Sequence, residues 1–243
     1  MENSQKAPNR VKRYGIILGI LYLASQHGFY LLGHLLALLF KIPPFLPKIP
    51  AIDDAIPIVS AFIIPYIWSY LFWAMGPMVV SKCEKNHFLN YMAANLLSCV
   101  LGTIALALFP TYMNRVTEGL FEVVENPNFL DKLRMFWYSL DGSEMAYNLL
   151  PSFHCLNSTI CFLGVMGRKE ISLGYRIYSF VMMWLIFAST VYVKQHYVVD
   201  IITGAALGVI SYFVCVKFRL GEKWFIPVIE KIKRRREAKH AAV

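Results

Sequence analysis

Six long apolar stretches dominate this chain and leave few folds open to it. They cover residues 14–39, 57–80, 88–109, 149–166, 173–193 and 197–216 and are 18 to 26 residues long. A helix needs about 20 apolar residues to cross the hydrocarbon of a bilayer. The composition agrees: 57% of the 243 residues are hydrophobic and 16% are charged, where soluble domains carry about a quarter charged residues. Such hydrophobicity excludes a disordered chain, and a soluble core of this size has too little interior to hide so much apolar surface. The expected architecture is therefore all-α, a polytopic membrane protein built as a six-transmembrane-helix bundle. It forms a single membrane domain over residues 1–243, with a basic tail at 217–243. The first stretch exceeds a signal-peptide core and is expected to be retained. The fourth is the most polar, with Ser152, His154, Asn157 and Ser158 inside it. Polar groups at membrane depth need a bundle interior or a wet cavity.

Basic residues set the orientation. With six spans both termini share a side, and that side collects 18 of the 24 Lys and Arg residues, from Lys6, Arg10, Lys12 and Arg13 to the run Arg234, Arg235, Arg236 and Lys239. The opposite side holds six: Lys41, Lys48, Arg115, Lys132, Arg134 and Lys194. Both termini are expected in the cytoplasm of a plasma-membrane protein. The net charge of +9 then reflects topology and anionic lipid, with no nucleic-acid partner. The tail from Trp224 mixes apolar and basic residues and suits the anionic inner leaflet, or serves only as a positive-inside signal. In the long outer segment 110–148, Phe129–Leu140 alternates apolar and charged residues at helical spacing, so one or two short interfacial helices are expected over the outer mouth, with Pro110, Pro127 and Gly142 as breaks.

The five cysteines show no CxxC pair and no zinc spacing, and read as small buried hydrophobes. Asp53 and Asp54, just before Ala55-Ile56-Pro57, read first as a helix N-cap pair, with a role at the outer entrance as the other possibility. His27 and His34 read as packing residues, His87 and His240 as solvated ones, and the aromatic residues of the spans as lipid-facing or core.

What remains is polar and falls at one depth on the outer side. Arg115 follows the third span, Pro151-Ser152-Phe153-His154 opens the fourth, and Lys194-Gln195-His196-Tyr197-Val198-Val199-Asp200 leads into the sixth. His196 and Asp200, four apart, share a helix face. The carboxylate can hold the Nδ1 proton and leave Nε2 as nucleophile or base. Pro151 suits a first helical turn, so N–H groups near Ser152 and Phe153 could bind an anion. His154 could reach that anion as proton donor, and Arg115 and Lys194 add two cations. Two imidazoles, a carboxylate, two cations and a helix start suggest phosphoryl transfer. No acidic cluster suggests a metal.

These residues resemble the motifs of the type 2 phosphatidate phosphatase superfamily, which also holds the vanadium haloperoxidases. Its motifs are K-x6-R-P, P-S-G-H and S-R-x5-H-x3-D. Here the third is similar to Ser189-Thr190, five residues, His196, three residues, Asp200; the second to Pro151-Ser152-Phe153-His154; the first survives as Arg115. Leu108, Val116, Phe153 and Thr190 depart from the pattern. The stretches Phe109-Pro110-Thr111 and His196-Tyr197-x-x-Asp200 resemble the inositol-phosphorylceramide and sphingomyelin synthase branch. The resemblance, over about 57–216, implies a membrane-embedded lipid phosphate phosphatase acting at the outer leaflet. His196 is then the nucleophile that forms a phosphohistidine, Asp200 its partner and His154 the acid and base. Arg115, Ser152 and Lys194 hold the phosphate, and no cofactor or metal takes part. The alternatives are a lipid headgroup phosphotransferase using the same three residues, and a transporter or scaffold that has kept the pocket.

Overall fold

The computed structural model describes residues 11–121, 126–140 and 144–241, the last three by their backbone. Lys6, Arg10, Gly142 and the side chains of Lys239 and His240 lie outside the described residues. The helices are α1 (Arg13–Leu39), α2 (Pro50–Asp53), α3 (Ile63–Val80, entered through a 3-10 turn at Ser60–Phe62), α4 (Lys85–Leu108), α5 (Phe129–Leu140), α6 (Phe153–Val165), α7 (Leu173–Tyr192), α8 (Val198–Phe218) and α9 (Leu220–Ala241). Two three-residue strands, β1 (Tyr112–Asn114) and β2 (Met145–Tyr147), pair antiparallel with Met113 opposite Ala146. They fold the long outer segment back on itself within an otherwise all-helical fold.

Among the described residues, five helices, α1, α3 with its 3-10 turn, α4, α7 and α8, are long and apolar enough to cross a membrane. Ile17, Ile20, Leu35, Trp184 and Ile202 are among the apolar side chains they leave exposed, as a lipid-facing surface requires. The fourth expected span, 149–166, holds a shorter helix than expected, the 13-residue α6, about 20 Å long. The cause is Thr111. Asn148 N–H donates to the Thr111 carbonyl (2.9 Å), and the N–H groups of Leu149 and Leu150 donate to Thr111 Oγ1 (2.8 and 3.1 Å). These bonds hold residues 148–150 outside any helix, with Asn148 in a left-handed conformation (φ 61°), and the helix begins only at Phe153. There α3, α4, α7 and α8 surround it. Protein rather than lipid faces α6, so it need not match a bilayer, and several of its polar groups find partners. Tyr22 Oη donates to Asn157 Oδ1 (2.9 Å), Trp73 Nε1 to Ser158 Oγ (3.0 Å) and Thr159 Oγ1 to the Cys155 carbonyl (2.7 Å).

The opposite end carries the second correction. His87, expected in solvent, is buried in the first turn of α4 with Nε2 2.8 Å from the Gly164 carbonyl of α6. Nearby, Gly221 N–H donates to Asn90 Oδ1 (3.0 Å) where α9 begins, and a side chain at Gly221 would collide with the Leu89 carbonyl. Glycine is what lets the tail helix start against α4. All five cysteines are buried and free; in the loop after α3, burial pushes the Cys83 thiol up to about 11, so it stays a neutral thiol.

Candidate active site

His196 occupies the short turn between α7 and α8. The Thr190 carbonyl accepts from both Gln195 N–H (2.8 Å) and His196 N–H (3.0 Å), and Lys194 takes a left-handed conformation, φ 49°, uncommon for a residue with a side chain. Asp200 lies one turn further on. Its Oδ2 accepts from Tyr197 N–H (2.9 Å) and stands 3.4 Å from His196 Nδ1. Its Oδ1 is buried with no partner among the described residues. A carboxylate only accepts, so it favours the imidazole tautomer with the proton on Nδ1 and the lone pair on Nε2.

His154, second residue of α6, brings a second imidazole to the same place, with ring centroids 5.8 Å apart. Its ring stacks on Tyr66 (4.4 Å, 22°) and meets the edges of Trp73 and Tyr70 (4.9 and 5.8 Å). His154 and His196 both line a cavity of about 280 Å³, with Tyr66, Tyr70, Trp73 and Trp137 as aromatic walls and Gln26, Asn157 and Gln195 as amides.

The remaining expected residues stand around this cavity instead of in its wall. Arg115 is fully buried over the Tyr138 ring (5.1 Å), and its Nη2 donates to Gln195 Oε1 (2.9 Å). Guanidinium only donates, so the Gln195 oxygen must face Arg115 and its NH₂ end remains for a ligand; that nitrogen has no partner among the described residues. Arg115 therefore reaches the cavity through Gln195. Ser152 is the N-cap of α6, its Oγ accepting from Cys155 N–H (3.4 Å), while its own N–H donates to the Asp200 carbonyl (3.0 Å). A Cβ at Gly204 would lie 2.3 Å from the Ser152 carbonyl, so only glycine allows α8 to approach this closely. The Ser152 N–H is thus spent on the frame and does not point outward to an anion. Pro151 precedes the N-cap instead of opening the first turn. Lys194 Nζ donates to the Asp53 carbonyl (2.7 Å). Burial lowers its pKa, against the opposing pull of Glu118 and Asp53.

Asp53 corrects a further expectation. It ends α2 instead of capping the next helix in the chain: Oδ2 accepts from Ile49 N–H (2.7 Å) and Oδ1 from Val198 N–H (2.9 Å), the first residue of α8. Asp54 pairs with Lys48 Nζ (2.6 Å), which also binds Glu118 (2.8 Å), and Glu118 Oε1 accepts from Tyr197 Oη (3.1 Å). Burial works against the Lys48 charge, but Asp54 and Glu118 outweigh it and raise its pKa.

Sequence reasoning missed the aromatic wall, Gln195 and the placement of His27. Tyr66, Tyr70 and Trp73 recur at helical spacing, which puts them on one face of α3; that was the available signal. His27 also lines the cavity, stacked on Tyr70 at 5.7 Å with Nδ1 3.1 Å from the Leu23 carbonyl. His34 packs against Tyr147. Among the described residues, no three His, Cys, Asp or Glu side chains are gathered to hold a metal ion.

Comparison with known proteins adds one finding. A family model described as the PAP2 superfamily matches residues 36–214. Comparisons with curated proteins and with solved structures return no match. Members of the superfamily are phosphatases and phosphotransferases, which supports an enzyme of the phosphoric-ester type. The match covers nearly three quarters of the chain and takes in His154, His196, Asp200 and Arg115, and on that ground the protein belongs to the PAP2 superfamily.

Proposed function

We propose that the protein is a membrane-embedded phosphatase that cleaves a lipid phosphomonoester or diphosphate at the outer leaflet of the plasma membrane through a phosphohistidine. The observation that carries this reading is His196, backed at Nδ1 by Asp200 and facing a second imidazole across one cavity. The Nε2 lone pair of His196 attacks phosphorus as the bond to the lipid oxygen breaks. His154 gives its proton to that oxygen, and Asp200 stabilises the resulting imidazolium. His154 then takes a proton from water as the water oxygen attacks phosphorus. The P–N bond breaks, leaving inorganic phosphate and free His196. Charge on the equatorial oxygens is met by the Gln195 amide and by the field of buried Arg115, which is strong where water is excluded. Ser152 and Lys194 support the site through the frame they tie together. Lipid enters between the apolar helices, and the basic tail lies against anionic lipid at the other face.

The test is phosphate release from phosphatidate, phosphatidylglycerol phosphate and an isoprenoid diphosphate, with chelator present. Wild type should be active and His196→Ala inactive; equal rates would end the proposal. The cavity extends beyond what a phosphate alone occupies, which favours a second reading, headgroup transfer to a lipid alcohol with the same three residues. Donor lipid supplied with an alcohol acceptor separates the two: a new phospholipid means transfer, free phosphate means hydrolysis.

A further inference from the structure

The turn that carries His196 is closed from within by the Thr190 carbonyl and by Asp200 Oδ2 on Tyr197 N–H, which leaves the Val198 N–H to be met from outside the turn. Its Lys194 is left-handed, and the N-cap of α8 is Tyr197, whose long side chain cannot supply the acceptor that a Ser or Asp would give to the helix's first N–H groups. That acceptor comes from elsewhere in the chain. Asp53 Oδ1 takes the Val198 N–H (2.9 Å), while the Asp53 carbonyl takes Lys194 Nζ (2.7 Å). Both anchored residues lie two positions from His196, one on each side. Asp53 is itself 3% exposed and fixed through Oδ2 to Ile49 N–H (2.7 Å). The same segment reaches the intervening residue, because Lys48 binds Glu118 and Glu118 accepts from Tyr197 Oη. Residues 48–54 thus hold Lys194, Tyr197 and Val198 without touching His196.

We propose that Asp53 is a positioning residue for His196: it caps α8 from another segment and fixes the 194–198 turn so that Nε2 faces the cavity and Nδ1 faces Asp200. The proposal rests on the reading of His196 as nucleophile. Small displacements of a reacting group are costly, about 100-fold for about 1 Å, so the effect falls on turnover and not on lipid binding.

The experiment compares wild type, Asp53→Ala, Asp53→Asn and Lys194→Met in lipid nanodiscs. Rates are normalised to folded protein. Asp53→Ala should lower kcat about 10–100-fold with KM within about threefold. Asp53→Asn keeps an oxygen for Val198 N–H but turns an NH₂ towards Ile49 N–H, so it should recover part of that loss. Wild-type kcat in Asp53→Ala, or Asp53→Asn as slow as Asp53→Ala, overturns the proposal. Where Asp53→Ala does not fold, Lys194→Met decides: a several-fold fall in kcat at constant KM supports the clamp and an unchanged kcat overturns it. If wild type is no faster than His196→Ala, the phosphatase reading has failed. The clamp is then judged by NMR of ring-labelled histidine, with the His196 signal identified by its loss in His196→Ala. That signal should move in Lys194→Met and, where it folds, in Asp53→Ala; an unmoved signal overturns the proposal.

Discussion

Two buried imidazoles mark opposite ends of the bundle, and only one is placed for chemistry. His87 is 7% exposed and His196 9%, so burial does not separate them. Their surroundings do. His87 meets a backbone carbonyl that can only accept, Gly164 at 2.8 Å, and packs where α4 meets α6. His196 meets a carboxylate one helical turn away, and its ring borders a cavity shared with His154. The first arrangement satisfies a polar group; the second leaves a nitrogen free and supplies a partner that can stabilise positive charge. A partner able to follow a change of charge, and space for a substrate, distinguish a reactive histidine from a structural one.

The sharpest way to break this comparison is to remove each ring in turn. His196→Ala should abolish lipid phosphate hydrolysis, by more than about 10³-fold, since the nucleophile and its partners act as a unit; kcat from initial-rate assays checks this. Next comes Asp200→Asn, which keeps the shape but removes the charge that favours the Nδ1 tautomer, with an expected fall in kcat of about 10³-fold. His154→Ala should cost about 10²–10⁴-fold, as expected for general acid–base catalysis. The loss should be smaller for a substrate whose leaving group needs no proton, measured on an aryl phosphate beside a lipid phosphate. At the other end, His87→Ala should leave kcat per folded molecule unchanged. It should cost stability of about 1–3 kcal/mol, because the Gly164 carbonyl is left buried and unpaired; thermal melting in detergent reads this.

The smallest effect belongs to the α5 anchor. The Ser60 hydroxyl donates to Asp131 Oδ1 (2.6 Å) and Asn128 N–H to Oδ2 (3.0 Å), which holds the Asp131 carboxyl below its usual range. A carboxyl with a lowered folded-state pKa contributes stability above its unfolded pKa and loses it as pH falls through the folded one. Asp131→Asn should therefore flatten the acid limb of the melting-temperature profile below about pH 4, by less than the shift seen for His87→Ala.

Much of this was legible in the residues. The apolar runs located α1, α3, α4, α7 and α8 to within a few residues, because a lipid-crossing helix must be long and apolar whatever it packs against. The four-residue spacing of His196 and Asp200 likewise gave their pairing, which is local to one turn. The length of α6 was not legible, because it depends on Thr111 taking three N–H groups from residues 148–150. Nor was the burial of His87, which depends on where α6 ends. The partners of Asp53 and Arg115 were hidden for the same reason: Val198 and Gln195 are distant in sequence, and only packing brings them near.

The chain by itself determined that it must form apolar helices and that its unusual polar groups must gather at their ends, because hydrocarbon tolerates little else. Tertiary structure alone decided which polar groups share the cavity and which are spent holding its frame. A side chain such as Lys194, Ser152 or Arg115 has several partners within reach of its type. Which one it takes depends on distances that no local spacing fixes.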